Sequence, residues 1–288
     1  MKILVTGATG FIGSHLTARL KAAGHTVLVV SRRADAQYNW SDQSLARGVA
    51  NADAVVHLAG ENLTAKRWTA AQKKRLQSSR FENTAKLASI VAAQQPKTFV
   101  SASAIGFYGA NADDTLDERS PRGDGFLAEL CEGWEQATTA ASRAGVRTAM
   151  VRTGIVLGHG GALQRMLLPF KLGIGGPVGD GKQWMSWVHI DDLAALYIFL
   201  IEHAETMGVY NGTAPNPVTM KTFAAALGRA LHRPAVLPVP GFVLKVAMGE
   251  VADVVLTGQK VLPVRTEQAG FRFRFTDIDS ALRAVVAA

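Results

Sequence analysis

The sequence predicts an α/β protein built on a doubly wound parallel sheet, and three observations carry that expectation. Short β-branched runs alternate with longer helical patterns through the first half of the chain. A glycine-rich turn, Gly7-Ala8-Thr9-Gly10-Phe11-Ile12-Gly13, joins the first such run to the first helical pattern. Hydrophobic residues make up 48% of the chain and charged residues 19%, the balance of an ordinary globular protein.

The elements follow in order. Residues 2–6 form a short apolar run that reads as a buried strand. Residues 14–23 carry Leu16 and Leu20 at helical spacing, with Gly24 as the stop. Residues 26–30 repeat the strand pattern, which completes a βαβ unit and implies a parallel pair with a right-handed crossover. Residues 54–58, 97–101 and 148–155 read as further strands. Residues 70–93 and 126–143 read as helices between them. This is the Rossmann pattern, with helices on both faces of the sheet. After residue 168 the character changes. Residues 173–181 are a loop by composition, 191–202 and 219–231 read as helices, and 209–211 as a short strand. The expected division is a dinucleotide-binding domain over residues 1–168, then a smaller C-terminal substrate lobe with an extension over 169–288. Some late segments return to the main sheet.

Composition narrows the function classes. The single cysteine, Cys131, excludes an internal disulfide framework, and the seven histidines lack metal-ligand spacing, so no metal is expected. The net charge of +8 invites nucleic acid, but the basic residues are scattered. Lys73-Lys74-Arg75 reads as a solvated face, and no nucleic-acid partner is expected. No apolar run reaches the roughly 20 residues of a membrane span. The first apolar run ends at Val5 with no cleavage-type segment after it, so the expected location is cytoplasmic. Monomer and homodimer are equally compatible with the sequence.

The glycine turn lies between a strand and a helix, the context a dinucleotide site requires. Gly7 permits the tight turn, Gly10 lets the backbone approach a pyrophosphate, and Gly13 allows close packing of helix on strand. The neighbouring Thr9, Phe11 and Ile12 belong to the same cradle, where free helix N–H groups favour the diphosphate. The second strand ends in Ser31-Arg32-Arg33. An acid there would bind the adenosine ribose and repel a 2′-phosphate, whereas Arg clamps phosphate with paired charge-assisted bonds. The expectation is therefore NADP(H) over NAD(H).

These residues, with later ones, resemble the extended short-chain dehydrogenase/reductase superfamily of sugar-nucleotide epimerases and dehydratases. Val55-Val56-His57-Leu58-Ala59-Gly60 is similar to that family's fourth strand, and the resemblance places Leu58, Ala59 and Gly60 at the cofactor's border. Ser101-Ala102-Ser103 with Tyr108-Gly109 is similar to its active-site strand, Val188-His189-Ile190-Asp191-Asp192 to a segment near its substrate pocket, and Tyr210-Asn211-Gly212 to its late strand. Lys66-Arg67-Trp68, Gly106-Phe107-Tyr108-Gly109, Gly249-Glu250 and Gly258-Gln259-Lys260-Val261-Leu262-Pro263 resemble a narrower, atypical epimerase-family branch with a C-terminal extension.

The resemblance implies a small-molecule substrate and a Tyr-x-x-x-Lys pair on the helix after the active-site strand. This chain departs from it. With Glu135 as anchor, Leu127 stands where Tyr belongs and Cys131 where Lys belongs. The upstream serine persists as Ser103 or Ser101, and Arg80 takes the place of a customary Asn. The candidate catalytic residues are Ser103, Tyr108, Arg80 and Cys131. Ser103 either bonds substrate or satisfies backbone. Tyr108 either acts as the proton donor, with Arg80 as a cationic neighbour, or packs as a lid aromatic. Cys131 either has a redox or ligand role or is a small core residue. His189 with Asp191-Asp192 reads as a helix cap or as a general base. Gln183, Trp184 and Trp187 line the substrate pocket or brace it. Two functions fit: an NADP(H)-dependent oxidoreductase or epimerase with modified proton transfer, on a small carbonyl or alcohol, a sugar-nucleotide-like compound included, or a catalytically silent NADP(H)-binding regulatory protein.

Overall fold

The computed structural model describes residues 1–33 and 36–287, with the side chains of all but 111–113, 162 and 165. In chain order its first half contains β1 (Lys2–Thr6), α1 (Phe11–Ala22), β2 (Thr26–Val30), α2 (Asp42–Ala50), β3 (Ala54–His57), α3 (Ala70–Gln94), β4 (Thr98–Ala104), β5 (Asn111–Leu116), α4 (Phe126–Gln136) and α5 (Thr139–Arg143). The second half contains β6 (Arg147–Thr153), β7 (Ile155–Leu157), α6 (Gly161–Lys171), β8 (Trp184–Met185), β9 (Trp187–His189), α7 (Ile190–Glu202), β10 (Gly208–Gly212), β11 (Val218–Thr219), α8 (Met220–Leu231), α9 (Gly241–Met248), α10 (Asp253–Leu256), β12 (Gln259–Val261), α11 (Val264–Gln268) and α12 (Ile278–Ala287). A 3-10 turn, Ile105–Tyr108, follows β4.

Six strands form one sheet in the order β10-β6-β4-β3-β1-β2, and every pair is parallel. Ile3, Leu4, Val5, Ala54, Val55 and Val56 have no exposed surface. Both faces of the sheet are covered, so its central strands read as continuous apolar runs rather than alternating ones. The strand order reverses between β1 and β3, and the crevice for a ligand opens at their carboxyl ends. The segment similar to the family's fourth strand is the third strand here, because the described residues of 31–53 supply α2 and a single bridge from Tyr38 to Val30.

Three predicted elements differ in extent. α1 begins at Phe11, three residues earlier than expected, because Gly10 serves as its N-cap and Gly13 falls inside its first turn. The helix expected over 126–143 is broken into α4 and α5. Thr138 directs both its N–H and its hydroxyl to the Glu135 carbonyl, and such local bonds compete with the helical ladder. The strand expected over 148–155 ends at Thr153. A side chain at Gly154 would lie 2.5 Å from the Ser186 carbonyl oxygen, so the chain there crosses close beneath a neighbour and re-pairs as β7 with β9.

Packing draws late segments onto the sheet. Leu193, Leu196, Tyr197 and Leu200 of α7 share one core with Ile3, Val5, Val56 and Val151, and Phe271 closes it. A second core joins α6, β9, α8 and α12 through Phe170, Trp187, Phe223 and Leu282. Each fully buried side chain of this size stabilises by about 1.5–3 kcal/mol. Among the described residues no helix is long and apolar enough to cross a membrane.

Candidate functional site

The glycine turn after β1 is shaped by close backbone approaches. Gly7 has φ +73°, and a Cβ on it would lie 2.8 Å from Ala59 N and 2.8 Å from the Leu58 carbonyl carbon. A Cβ on Gly13 would lie 2.1 Å from Gly7 O, so α1 rests directly on the turn. At Gly10 a Cβ would meet only Gly7 O, at 3.3 Å, and its outer side is open. α1 has no side-chain cap and no acid in its first turn, whereas α2, α3 and α8 are capped by Ser41, Thr69 and Thr219. Uncapped N–H groups at a helix start form an anion site.

β2 ends beside this turn. Ser31 donates its N–H to the Tyr38 carbonyl and accepts the Arg33 N–H on its hydroxyl. Arg32 and Arg33 are exposed, and no acid occupies 31–33.

The β3 edge carries a buried polar chain. The His57 ring nitrogens lie 2.7 Å from Thr6 Oγ1 and 2.9 Å from Thr84 Oγ1. Burial, aided by the Arg80 charge, lowers the His57 pKa to about 4. Arg80 is itself buried and donates to the Leu76 and Glu61 carbonyls. Its guanidinium stacks on Trp134 and passes 3.5 Å from the Cβ position of Gly60. Burial lowers its pKa, and the nearby Cys131 and Glu61 act in the opposite direction.

A second buried network joins the ends of β4, β6 and β10. Ser103 donates its hydroxyl to Glu135 Oε1 at 2.6 Å. Arg152 grips the same carboxylate with two bonds of 2.8 Å and donates to the Tyr108 hydroxyl at 3.1 Å. Tyr108 donates in turn to Asn211 Oδ1 at 2.8 Å. Paired, charge-assisted bonds of this kind are strong and directional.

The geometry separates the four catalytic candidates. Ser103 and Tyr108 belong to one network, while Arg80 stands in the other. The cation at the Tyr108 hydroxyl is Arg152, not Arg80, because α3 carries Arg80 toward Gly60. Tyr108 is 2% exposed, and burial holds its phenol above the usual range against the pull of Arg152. Its ring is packed in the core and its hydroxyl is engaged by Asn211 and Arg152. Cys131 is buried against Gly106, and burial reinforced by Glu135 pushes its thiol up to about 12. Leu127 packs on Gly106 beside it. Ser101 is fully buried and directs its hydroxyl to the Ala102 carbonyl.

His189 caps α7, accepting the Asp191 N–H on Nδ1 at 3.1 Å. Asp192 accepts the N–H groups of Arg274 and Phe275, which ties the C-terminal segment to α7. Trp187 is wholly buried and bonds the Asn216 carbonyl, and Gln183 bonds the Val178 and Val255 carbonyls. Both act as braces. Trp184 packs under Lys260.

Burial also lowers the His189 pKa to about 4. A histidine whose pKa is depressed on folding contributes stability that is complete above its ordinary pKa near 6.5 and lost as pH falls through 4. Stability should therefore fall between pH 6.5 and 4, by up to about 3 kcal/mol for each ring. Urea midpoints at pH 7 and pH 4.5 measure this, and His57→Gln should roughly halve the difference, leaving the His189 part. An unchanged slope in that variant would remove His57 from the account.

Glu135, Arg152, Asn211 and His57 escaped the sequence reading as site residues. Arg152 alone carried a signal: a cation within β6, next to the apolar Ala149-Met150-Val151 run rather than at the strand's start like Arg147. The others are ordinary polar residues until the strands bring them together.

Residues 3–211 match the NAD dependent epimerase/dehydratase family, and the chain belongs to that family. Residues 239–285 match a domain of unknown function, DUF1731. Within the family the chain is similar along its whole length to epimerase family proteins named SDR39U1. It is 42% identical to the chloroplastic SDR39U1 homolog of Arabidopsis thaliana, across 99% of this chain and 87% of that protein. The crystal structure of the human SDR39U1 protein (isoform 2) with NADPH is 40% identical and superposes with a TM-score of 0.95, covering 100% of this chain and 99% of that one. A nucleoside-diphosphate sugar epimerase from Corynebacterium glutamicum is 34% identical with a TM-score of 0.82, across 99% of this chain and 58% of that one.

Proposed function

We propose that this chain is an NADP(H)-dependent oxidoreductase or epimerase-like enzyme acting on a small carbonyl or alcohol compound. The observation that carries the reading is the glycine cradle at the point where strand order reverses, open at Gly10 and left uncapped at the start of α1. Gly7, Thr9, Gly10, Phe11, Ile12 and Gly13 would hold the diphosphate, Ser31, Arg32 and Arg33 the 2′-phosphate, and Leu58, Ala59, Gly60 and Ser101 the border of the nicotinamide half. NADPH in the human relative's crystal structure supports the same choice of cofactor.

A bound nicotinamide supplies hydride exchange with a carbon atom. The chain's part is to hold and polarise. Arg80 is a buried cation at the Gly60 border that donates to two carbonyls and lies against Trp134, with Glu61 and Cys131 acting on its charge from nearby, and it is suited to negative charge developing on a substrate oxygen. Ser103 and Tyr108, locked through Glu135 and Arg152, position the end of β4. Cys131 stays a protonated core thiol.

Calorimetric titration tests the reading. NADPH should bind more tightly than NADH, and Arg32→Ala should cost about 10- to 100-fold in NADPH affinity while leaving NADH unaffected. Equal loss for both would disprove 2′-phosphate recognition by Arg32. A second reading, a silent NADP(H)-binding regulator, draws on Leu127, Cys131 and the committed hydroxyl of Tyr108. Turnover of any carbonyl substrate with NADPH excludes it.

A further inference from the structure

A cavity of about 480 Å³ lies between the segment after β3, α6 with the loop behind it, and the C-terminal extension. Its walls include Met166, Phe170, Met220, Leu244, Val251 and Val255. Among the described residues, the polar side chains on its lining, Thr64, Lys66 and Arg67, come from one short stretch. Arg67 is committed to the Val246 and Ala247 carbonyls that end α9. The size suits a small-molecule ligand.

The lining restricts what that ligand is. A nucleotide sugar brings a base, a diphosphate and several hydroxyls, and each polar group buried without a partner is penalised. Among the described residues, these walls offer few partners. Three methionines, Met166, Met220 and Met248, supply soft, adaptable apolar surface instead. The same segments expose Leu168, Leu172, Ile174, Phe242 and Val246, each more than half accessible, so the surroundings of the cavity are apolar too.

The cavity is tied to the candidate active site. Met248 and Val251 belong to one apolar cluster with Leu127, the residue at the position of the family's tyrosine. Thr64 follows the Gly60 border by four residues, within about 14 Å even for extended chain.

We infer that the substrate is a hydrophobic carbonyl or alcohol compound whose aliphatic tail fills this cavity, and not a nucleotide sugar. The inference rests on the proposed NADP(H)-dependent activity and names its substrate class. The probes are 2-decanone, 2-butanone and UDP-glucose, titrated by calorimetry into the full chain with and without NADPH. 2-Decanone should bind at least about 100-fold more tightly than 2-butanone, because the added methylenes leave water, and UDP-glucose should not bind. Leu244→Glu places a charge in the wall from α9, a helix with no fully buried residue, so folding is retained. It should weaken 2-decanone at least 10-fold and leave NADPH binding unchanged. Val246→Glu, on the exposed side of the same helix, should change neither. UDP-glucose binding, affinity independent of chain length, or equal losses in the two variants would each overturn the inference while leaving the cofactor reading intact. Chain-length-dependent ketone binding without any NADPH binding would support the apolar ligand class and remove the cofactor reading.

Discussion

Alanine at position 13 is expected to abolish NADPH binding and to lower the stability of the whole fold. Its Cβ would stand 2.1 Å from Gly7 O and 2.9 Å from the Ala8 Cα, both backbone atoms. The turn cannot retreat, because Gly7 already lies against the backbone of Leu58 and Ala59. Either α1 lifts from the sheet or the turn loses its shape. Forced overpacking of this kind costs about 1–3 kcal/mol. Alanine at position 10 is the informative contrast. There a Cβ meets one backbone atom, Gly7 O, at 3.3 Å, a mild crowding beside the 2.1 Å at position 13, so folding should suffer far less, while the open side that admits a diphosphate is filled. Gly10→Ala should lower Tm much less than Gly13→Ala and lose about 100-fold in NADPH affinity, roughly 2.8 kcal/mol. Calorimetry and thermal unfolding on the two variants separate a cradle from a merely tight turn. Undiminished NADPH affinity in Gly10→Ala would mean that nothing binds there through the backbone.

The second large effect is expected at the pair of Glu135 and Arg152. Their side chains are 11% and 5% exposed, and the two charges satisfy each other through paired bonds. Arg152→Met leaves Glu135 with only Ser103 and takes a donor from Tyr108. An uncompensated buried charge costs about 3–5 kcal/mol, which for a chain of this size is roughly 10 °C in Tm. Combining it with Glu135→Leu should restore most of the loss, because two apolar side chains replace two mutually dependent charges. Denaturant unfolding of the two single variants and the double variant gives the coupling directly. Additive losses would show that the pair is not the unit of stability argued here. Turnover is expected to stay low in the double variant even where stability returns, since Ser103 and Tyr108 have lost the groups that hold them.

Much of this was legible from local pattern. Ile3, Leu4 and Val5 announce a strand buried on both faces, and the glycine spacing after them announces the turn whose close approaches the structure displays. Such features depend on neighbours within a dozen residues, so sequence spacing reports them. The extents of α1 and α4 were misjudged by a few residues because capping by Gly10 and the back-bonding of Thr138 are details of hydrogen bonding that periodicity does not carry.

The catalytic candidates show the opposite case. Ser103, Tyr108, Arg80 and Cys131 were drawn together by type and resemblance, yet Arg80 faces Gly60 and Tyr108 faces Arg152 and Asn211. The Tyr108 and Asn211 side chains meet across 103 positions of sequence. Which polar groups meet is decided by the lateral order of β4, β6 and β10, and a strand's sequence states its burial but not its neighbour. The sequence by itself determined the parallel sheet, the glycine cradle and the basic end of β2, because each follows from local stereochemistry and charge. Only the tertiary structure decided that Glu135 and Arg152 hold the site's serine and tyrosine, and that the cavity beside it is walled by apolar side chains. Those contacts exist only after strands and helices distant in sequence have packed.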